Sequence, residues 1–364
     1  MNKIKILFTI PNFDTAGSGK VLMEIATRLD EDIFEPHIAC FHTEGDYFLE
    51  VKKSGIPVHI KSFTVPFSKS PLFLWKCWKN RKFFQHFDLV HSFHYKKDIS
   101  EALAARLAGC KWVYSKKNMK WGSKGWQWRT KLAHGVVAMC PEMMERFFEG
   151  NPKARQINLG VDAAEFFPQT QSQALQTKYQ IKTDEKVLAF VANIVPLKGL
   201  EELLDAYQLL FQTHPKLHLL IVGDDRSPYG QSLKAKAAVV GGKIHFVGKQ
   251  MDVAGHLSIA DVFIIPSHTE TGPVCLLEAM ACGIPSLGSN VSGINNIFRD
   301  RPLQLFAKSN VAEMVEKVEW MLAMQEADKL ELVQVQHEII ASRFSLKAAV
   351  KGHEAFYLKL MGRR

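Results

Sequence analysis

Two glutamates, Glu270 and Glu278, lie eight positions apart in a stretch of sequence that could do chemistry. The stretch reads DVFIIPSHTETGPVCLLEAMACGIPSLGSN (261–290), which predicts a buried strand, a polar loop and a helix. Pro273 can open that helix in its first turn, and Gly283 can close it. Glu270 therefore falls in a loop at the end of a strand, where parallel sheets bind ligands, and Glu278 falls inside the helix.

The start of this predicted helix offers hydrogen-bond donors as well as carboxylates. The N–H groups of Gly272, Val274 and Cys275 would suit an anionic or polyhydroxylated ligand, because the first N–H groups of a helix have no acceptor within it. A purely structural alternative stays open. Glu278 is then a solvated helix charge, and Glu270 stabilises the helix N-terminus by roughly a few tenths of a kcal/mol.

A glycine-containing turn, Gly17-Ser18-Gly19, lies between an apolar run (4–10) and an amphipathic stretch, which predicts a strand, a turn and a helix. The turn is not a P-loop, because Asp14 replaces the first glycine and Val21 replaces the hydroxyl residue that binds Mg²⁺. It is not a dinucleotide fingerprint either, since Leu22 replaces the third glycine. Two interpretations remain: a helix N-terminus that binds phosphate, or a tight turn without a ligand.

The composition predicts two ordinary globular domains. The chain has 364 residues, 47% of them hydrophobic, and no run approaches the ~18 apolar residues of a membrane-spanning helix. The apolar run near the start is too short for a signal peptide and predicts a first strand. Six scattered cysteines without a C-x-x-C pair are typical of reduced thiols in a cytosol rather than of disulfides or a zinc site.

The net charge of +9 is concentrated in the first half of the chain. Residues 1–168 contain 25 basic and 17 acidic residues, and residues 51–131 contain 18 basic and 3 acidic residues. Six of the seven tryptophans lie in the same segment: Trp75, Trp78, Trp112, Trp121, Trp126 and Trp128. Basic residues among aromatic ones favour a membrane surface or a nucleic acid as partner, and the alternative is a solvated basic face with tryptophans in the core.

Short apolar runs alternate with helical stretches, which predicts an α/β fold with parallel sheets covered by helices. Strands are expected at 4–10, 36–42, 57–62, 88–93, 111–115, 135–139, 155–159, 186–192, 217–222, 243–247, 261–265 and 285–288. Helices are expected around 21–29 and at 97–108, 199–213, 228–239, 273–282 and 309–325. The polar stretch 169–186 predicts a boundary between one domain at 1–168 and another at 169–344, with a ligand-binding cleft between them.

The stretch around Glu270 and Glu278 resembles the E-x7-E signature of the family 4 retaining glycosyltransferases. Five further segments resemble motifs of that family in the same order. They are AGSG (16–19), INLGVDAAEFFP (157–168), VANIVPLKG (191–199), LLIVGDD (219–225) and RFSLKAAVKGHEAFY (343–357). The resemblance implies a GT-B fold, two Rossmann-like domains facing a cleft, with a closing helix at about 345–364 that crosses back onto the first domain.

The resemblance also implies roles for individual residues. Lys198 falls on the family's phosphate-binding lysine, and such a cation stabilises a departing diphosphate. Glu278 would hold the ribose hydroxyls, and Glu270 would contact the donor sugar and support the reacting centre. The residues expected to bind the donor are Gly17, Ser18, Gly19, Asn193, Lys198, Glu270, Thr271, Gly272, Pro273, Val274 and Glu278. No metal or cofactor is expected, and the nucleotide sugar, with UDP-sugars favoured, enters as a substrate.

The sequence departs from the family pattern at two places. The arginine that many members carry at or near Asn193 is absent, so one phosphate contact is missing or comes from elsewhere. The histidine that many members carry after the strand at 111–115 is replaced here, and Lys117 or Asn118 is expected to take over, with Lys117 as a catalytic candidate. His91 and His94, at another strand end, are candidates for the acceptor side, as is Asn118, and the alternative is that these histidines are packed or lie on the surface.

The expected function is transfer of a sugar from a nucleotide-sugar donor to a glycan or glycolipid acceptor, in bacterial cell-envelope polysaccharide or lipopolysaccharide synthesis. Three alternatives stay open: a glycoside hydrolase that uses Glu270 and Glu278, a basic module that binds membranes or nucleic acids, and a GT-B protein that binds nucleotide sugars but has lost catalysis. A metal site at Asp224-Asp225 is rejected for want of a third ligand. No nucleic-acid motif is visible in the basic segment.

The preferred acceptor is linked to a membrane. The segment SPLFLWKCWKNRKFFQHF (70–87) mixes aromatic and basic residues, and each basic residue near an anionic leaflet contributes ~1 kcal/mol. The partner surface is therefore expected to be the inner membrane, reached through residues 70–131. The expected localisation is the cytoplasm, with peripheral attachment to the inner face of the plasma membrane.

Overall fold

Short runs of two to seven residues, most of them apolar, form the strands of two parallel sheets, and the stretches between them form the helices. The computed structural model describes residues 2–14, 16–45, 47–94, 98–120 and 124–363. Residues 15, 97 and Trp121, which took part in the sequence-based predictions, lie outside these ranges. The chain divides into two units, of which unit 1 comprises Met1–Leu159 and Leu346–Arg364 and unit 2 comprises Gly160–Ser345.

Unit 1 is built on a seven-stranded parallel sheet in the order β3-β2-β1-β4-β5-β6-β7. Its strands are β1 (Ile4–Thr9), β2 (Phe34–Cys40), β3 (Val58–Ile60), β4 (Leu89–Ser92), β5 (Lys111–Ser115), β6 (Gly135–Ala138) and β7 (Ala154–Gln156). Its first six helices are α1 (Ala16–Ala26), α2 (Phe48–Lys53), α3 (Pro71–Phe84), α4 (Ser100–Leu107), α5 (Lys124–Leu132) and α6 (Pro141–Phe148). Buried side chains form a core on each face of the sheet.

Unit 2 is built on a six-stranded parallel sheet in the order β10-β9-β8-β11-β12-β13. Its strands are β8 (Lys186–Val191), β9 (Leu217–Val222), β10 (Lys243–Gly248), β11 (Val262–Ile265), β12 (Ser286–Ser289) and β13 (Leu305–Phe306). Its helices are α7 (Gln173–Lys178), α8 (Leu200–Thr213), α9 (Pro228–Val240), α10 (Val253–Leu257), α11 (Val274–Ala281), α12 (Ile294–Ile297), α13 (Val311–Leu322) and α14 (Glu326–Arg343), besides two 3-10 helices at Pro196–Lys198 and Pro302–Gln304. The last helix of the chain, α15 (Leu346–Leu360), belongs to unit 1.

The predicted α/β class with parallel sheets is confirmed, because every pair of strands in both sheets is parallel. In each sheet the strand order reverses direction next to the first strand of the unit, as in doubly wound folds, so ligand sites are expected at the carboxyl ends of β1, β4, β8 and β11.

The clearest error in strand position concerns β2, which was predicted at 36–42 and lies at Phe34–Cys40. The observed strand begins two residues earlier and contains Pro36, a residue that is uncommon inside strands because it lacks the N–H that a ladder needs. Pro36 is tolerated because β3 pairs with β2 only from Ile38 onward, so the earlier part of β2 has a neighbour on one side only. β13 has two residues, too few to give a sequence pattern.

Candidate functional site

Two loops at the carboxyl edge of the unit 2 sheet bring Lys198 and Glu270 together. β8 and β11 are neighbours in the sheet, and each ends in a polar loop. Lys198 ends the 3-10 helix after β8, and Glu270 lies between β11 and α11. The Lys198 ammonium and the Glu270 carboxylate form a hydrogen-bonded ion pair. Two residues that the sequence placed in the donor site, 72 positions apart, are thus in direct contact.

Two glycines allow this close approach of the loops. Gly199 has φ +68°, a left-handed conformation, and a Cβ at this position would lie 2.0 Å from the carbonyl oxygen of Pro266. Gly293 has φ +84°, and a Cβ there would lie 2.8 Å from the Gly272 nitrogen. The loop that carries Glu270 is therefore packed between the backbones of its neighbours, at distances that only glycine permits.

Side chains that sequence reasoning did not assign hold Glu270 in place. The Ser267 hydroxyl donates to Glu270 Oε1 at 2.9 Å, and Ser289 Oγ donates to the Ser267 carbonyl at 2.5 Å. His268 donates its backbone N–H to the Leu197 carbonyl at 2.8 Å. Its Nε2 is hydrogen-bonded to Oε1 of Glu202, on α8, at 2.7 Å. The only sequence signal for these residues was their place in the polar loop beside Glu270.

The electrostatics of the pair favour a charged lysine. Burial lowers the pKa of Lys198, but the Glu270 carboxylate and the Cys275 side chain raise it more, so the net pKa lies above the ordinary value. Burial raises the pKa of the Cys275 thiol to about 12, with Lys198 opposing and Glu270 and Glu278 adding to the increase. Cys275, in the first turn of α11, is therefore within electrostatic reach of all three predicted donor-site groups.

The other predicted donor residues of unit 2 lie in or just before α11, except Asn193, which follows β8. Glu278 lies within that helix and is 6% exposed, so it is not a solvated helix charge. Thr271 and Gly272 are half-buried, and Asn193 is exposed. Pro273 is the N-cap of α11 rather than its first residue, and Val274 begins the helix. The Leu276 N–H donates to the Pro273 carbonyl at 3.1 Å, and the N–H groups of Val274 and Cys275 precede the first residue that can bond within the helix.

The glycine turn of unit 1 differs from the prediction. Gly17, Ser18 and Gly19 lie within the first turn of α1, which begins at Ala16, and not in a loop before the helix. A Cβ at Gly19 would lie 2.9 Å from the Phe13 ring, whereas a Cβ at Gly17 would meet nothing within 4 Å. Packing on Phe13 therefore explains Gly19 without a ligand, and the assignment of these three residues to the donor remains a prediction.

At the carboxyl edge of the unit 1 sheet, two consecutive lysines follow β5. Lys116 is fully buried, and its ammonium donates to the carbonyls of Asn118 and Lys120, at 2.7 Å each, and to Asn118 Oδ1 at 3.1 Å. Lys117 donates to the Phe93 carbonyl at 2.7 Å. Burial lowers the pKa of Lys116 to about 8 and that of Lys117 to about 7. Lys116, which the sequence did not single out, stabilises the loop that contains Asn118.

A buried network lies beside these lysines. The Glu101 carboxylate, in α4, accepts hydrogen bonds from the hydroxyls of Thr9 and, at 2.7 Å, Ser92. Arg129, in α5, donates to the carbonyls of Asp98 at 2.5 Å and His94 at 3.1 Å. Burial raises the pKa of Glu101, although Arg129, Thr9 and Ser92 oppose that increase. Neither Glu101 nor Arg129 had a sequence signal, because a charge in an amphipathic helix predicts a solvated face.

The two candidate histidines of unit 1 are buried. His91 is hydrogen-bonded to the Tyr357 hydroxyl at 2.6 Å and to Ser115 Oγ at 2.9 Å, and its ring lies 5.8 Å from that of His353. Burial keeps the pKa of His91 well below its ordinary value. His94 packs edge-on against the Phe41 and Phe63 rings. These contacts favour the packed-histidine interpretation of His91 and connect α15 to the sheet of unit 1.

Two family models match the chain and together span most of it. The model described as Glycosyltransferase Family 4 matches residues 15–165, and the model described as Glycosyl transferases group 1 matches residues 171–332. The chain belongs to the family 4 glycosyltransferases. The resemblance inferred from the E-x7-E signature and the five other motifs is thereby confirmed.

Individual relatives agree with this assignment. An N-acetyl-alpha-D-glucosaminyl L-malate synthase from Bacillus anthracis is 27% identical over 170 residues, 47% of this chain and 43% of that protein. This chain thus matches less than half of the relative's length. Two solved structures share the fold at 18% identity: a glycosyltransferase from Rickettsia africae, with TM-score 0.86 and full coverage of both chains, and Anabaena HepE in complex with UDP and glucose, with TM-score 0.81 and coverage of 98% and 99%.

Both carboxylates of the adjacent acidic pair of this glycosyltransferase are in ion pairs. Arg226 donates to Asp224 through Nε at 2.8 Å and Nη2 at 2.6 Å, and Lys234 lies 2.7 Å from Asp225. Across the described ranges, no three His, Cys, Asp or Glu side chains are placed to hold a metal ion.

The predicted basic and aromatic surface is narrower than residues 70–131. Trp112 and Trp126 are buried in the core of unit 1, whereas Trp75 and Trp78, on α3, are 52% and 49% exposed and Trp128, on α5, is 55% exposed. Lys79 lies over the Trp75 ring at 5.4 Å from its centroid, and other basic residues of α3 are exposed beside the two tryptophans. In the described part of the chain, no helix has the length and apolar character needed to cross a bilayer.

Proposed function

We propose that this chain is a retaining glycosyltransferase that moves a sugar from a nucleotide-sugar donor to a glycan or lipid-linked acceptor in bacterial cell-envelope synthesis. The observation that carries the proposal is the contact of Lys198 with Glu270 beside the start of α11. A cation, a carboxylate and a helix N-terminus at one strand edge suit a ligand that has both phosphates and hydroxyls.

Each group has a task in such a reaction. The bond between the sugar and the diphosphate breaks with negative charge developing on the diphosphate, which Lys198 and the first N–H groups of α11 stabilise. Glu270 accepts hydrogen bonds from hydroxyls of the donor sugar, held by Ser267 and by the loop that His268 fixes to Glu202. Glu278 accepts hydrogen bonds from the ribose. These groups supply the stabilisation without a metal ion.

The donor proposed is a UDP-sugar. Anabaena HepE, which shares the fold, was solved in complex with UDP and glucose. A glycoside hydrolase is the weaker candidate, because its second carboxylate would have to face the scissile bond and Glu270 is instead paired with Lys198. A protein that binds nucleotide sugars without transferring them remains the alternative that an activity measurement must separate.

The first experiment is a thermal-shift panel with UDP, GDP, ADP, CDP and their sugar conjugates. A nucleotide at 100 times its Kd stabilises the protein by ~2.7 kcal/mol, so binding to wild type gives a clear shift. Lys198→Ala is expected to abolish it. Lys186→Ala is the matched control, because it removes a half-exposed lysine from an ion pair with Asp261 at the other end of β8. No shift with any nucleotide would refute the donor class.

A transfer or donor-hydrolysis assay on the same variants then tests catalysis. Release of free UDP from a UDP-sugar that stabilises the wild type, slowed by Glu270→Gln, is the expected result. Donor binding with no release of UDP in the presence of acceptor lipids extracted from bacterial envelopes would favour a binding protein that has lost catalysis.

We further propose that α3 docks on an anionic membrane surface, where a lipid-linked acceptor resides. Leu72, Leu74, Trp75 and Trp78 are all about half exposed or more, and α3 carries four basic residues and no acidic one. The apolar side chains can enter the interface while the cations stay near the headgroups, as in interfacial helices.

Co-sedimentation with vesicles tests this surface. Binding to phosphatidylcholine vesicles that contain phosphatidylglycerol is expected to exceed binding to phosphatidylcholine alone and to fade at high salt. The double variant Trp75→Ser, Trp78→Ser is expected to lose it. Leu330→Ser is the matched control, since Leu330 is an exposed apolar residue of unit 2. Binding that does not depend on lipid charge would contradict the proposal.

A further inference from the structure

We propose that Lys117 binds an anionic group, a phosphate or a carboxylate, of the acceptor at the carboxyl edge of the unit 1 sheet. The inference rests on the proposed glycosyltransferase function and names the chemical class of its acceptor. It starts from the position of Lys117, two residues after β5, where ligands of such sheets bind.

The contacts of Lys117 leave most of its hydrogen-bonding capacity unused. An ammonium group has three donors, and the Phe93 carbonyl accepts one of them at 2.7 Å. The nitrogen also lies 4.6 Å from the centroid of the Phe93 ring. None of the carboxylates that the structure describes forms an ion pair with Lys117, although the residue is half-buried.

The carboxylates of this edge are committed to other partners. Asp98 accepts hydrogen bonds from the backbone and the hydroxyl of Ser100, at 3.0 and 2.7 Å, at the start of α4. Glu101 is fully buried and accepts from Thr9 and Ser92. Neither carboxylate forms an ion pair with Lys117 among the residues that the structure describes.

The neighbouring cations add to the positive charge. Lys116 and Arg129 are fully buried, and both donate hydrogen bonds to backbone carbonyl oxygens of the loops around them. Glu101 is the carboxylate that interacts electrostatically with Arg129 most strongly, whereas burial is the one cause of the lowered pKa of Lys117. An anion at Lys117 would therefore restore the charge balance that burial has removed.

The lowered pKa of Lys117 also favours an anionic ligand over a neutral one. Burial alone lowers the pKa of Lys117 to about 7, which means that its ammonium form lacks a compensating anion. A neutral sugar hydroxyl would not supply this compensation, whereas a phosphate or carboxylate forms charge-assisted hydrogen bonds that are about twice as strong as neutral ones. The site therefore discriminates in favour of charged acceptors.

Labelling with pyridoxal 5′-phosphate tests the proposal on the full wild-type chain, with UDP present to occupy the site at Lys198. The lysine Nζ attacks the aldehyde carbon, water leaves, and added borohydride supplies the hydride that reduces the imine to a stable secondary amine. Peptide mass spectrometry then measures the yield at each lysine. Pyridoxal, which has the aldehyde but no phosphate, is run in parallel.

Lys117 is expected to react at least about tenfold faster with pyridoxal 5′-phosphate than with pyridoxal, because the local positive potential concentrates the phosphate. Lys216, an exposed lysine paired with Asp184, is the control and is expected to show little preference. Inorganic phosphate and L-malate are the competing anions. Protection by phosphate alone assigns a phosphorylated acceptor, and protection by malate alone assigns a carboxylate.

Equal reaction of Lys117 with both aldehydes, or labelling that neither anion reduces, would overturn the proposal. Nucleotide binding is measured separately on unlabelled protein. A chain that binds UDP but shows no anion preference at Lys117 keeps the proposed function and loses this inference, whereas a chain that binds no nucleotide loses the proposed function first.

Discussion

Replacing Gly199 by alanine is the sharpest test of how the unit 2 site is built. Alanine in a left-handed conformation costs about 1–2 kcal/mol, and Gly199 has φ +68° and ψ +26°. The added Cβ would also lie 2.0 Å from the Pro266 carbonyl oxygen, so one of the two loops must move. Overpacking of this kind costs about 1–3 kcal/mol more. We expect Gly199→Ala to destabilise unit 2 by about 2–5 kcal/mol in total.

Gly248→Ala separates the two contributions. Gly248 also has a positive φ, +72°, but a Cβ there would meet nothing within 4 Å. Gly248 also lies in unit 2, and because the added Cβ has no close neighbour, Gly248→Ala should lower the free energy of unfolding by only about 1–2 kcal/mol. Denaturant unfolding measures both variants, and the difference between them is the cost of the close approach.

A second readout concerns the position of Lys198 relative to Glu270. Movement of either loop away from the other changes the geometry of the donor site, so Gly199→Ala is expected to lose the stabilisation by UDP that wild type shows. Equal destabilisation of the two glycine variants, together with normal UDP binding by Gly199→Ala, would refute the reasoning that contact between the loops positions the site.

Three further changes have expected outcomes. Glu270→Gln should bind UDP about tenfold more tightly by calorimetry and turn over more slowly, because the diphosphate must compete with the Glu270 carboxylate for Lys198. Opposite charges a few Å apart interact by up to ~4 kcal/mol at an effective dielectric constant of about 20. Unchanged or weaker UDP binding would contradict this competition. Burial lowers the pKa of His353 to about 4, so this histidine is neutral in the folded chain, whereas in the unfolded chain it protonates below its ordinary pKa. The free energy of unfolding should therefore be constant above pH ~6.5 and fall by up to about 3 kcal/mol as the pH approaches 4. Denaturant unfolding at several pH values measures this fall, which should be smaller in His353→Gln. Gln336→Leu should destabilise unit 2 by about 1–3 kcal/mol, since Oε1 of the fully buried Gln336 accepts from the Ser286 N–H at 3.0 Å; no change in the denaturation midpoint would mean that water replaces the amide.

The order of strands and helices was predictable because each element has its own local pattern. Buried parallel strands are continuous apolar runs, and the strand at 217–222 was predicted with its observed bounds. Helices with strong apolar periodicity, such as α8, were also predicted to within a residue. The long helix α14 was not predicted, because it presents only a weak apolar face and buries few side chains.

The candidate donor residues were predictable for a different reason, namely a chemical pattern near a strand end. Glu270 and Glu278 stand out because a polar loop, a proline and a glycine define the helix between them. The pattern could not show that Glu270 contacts Lys198, since that contact depends on the adjacency of β8 and β11 in the sheet. Strand order is a property of the whole unit and leaves no mark on either loop.

The burial of charged side chains in unit 1 could not be predicted from the sequence, because a charged residue is expected on the surface unless its neighbours in the fold are known. Arg129 lies within 5.5 Å of the centroids of the Trp112, Tyr114 and Trp126 rings, so two of the tryptophans that suggested a surface instead help to enclose a cation. The basic and aromatic segment therefore has two physical parts. One part is a core that fixes the loops after β4 and β5, and the other is exposed and consists of the outer face of α3 and Trp128 on α5. Because α3 contributes no side chain to the contacts of Lys117, a loss of vesicle binding after changes in α3 should leave the labelling preference of Lys117 intact, and the two surfaces can be tested independently.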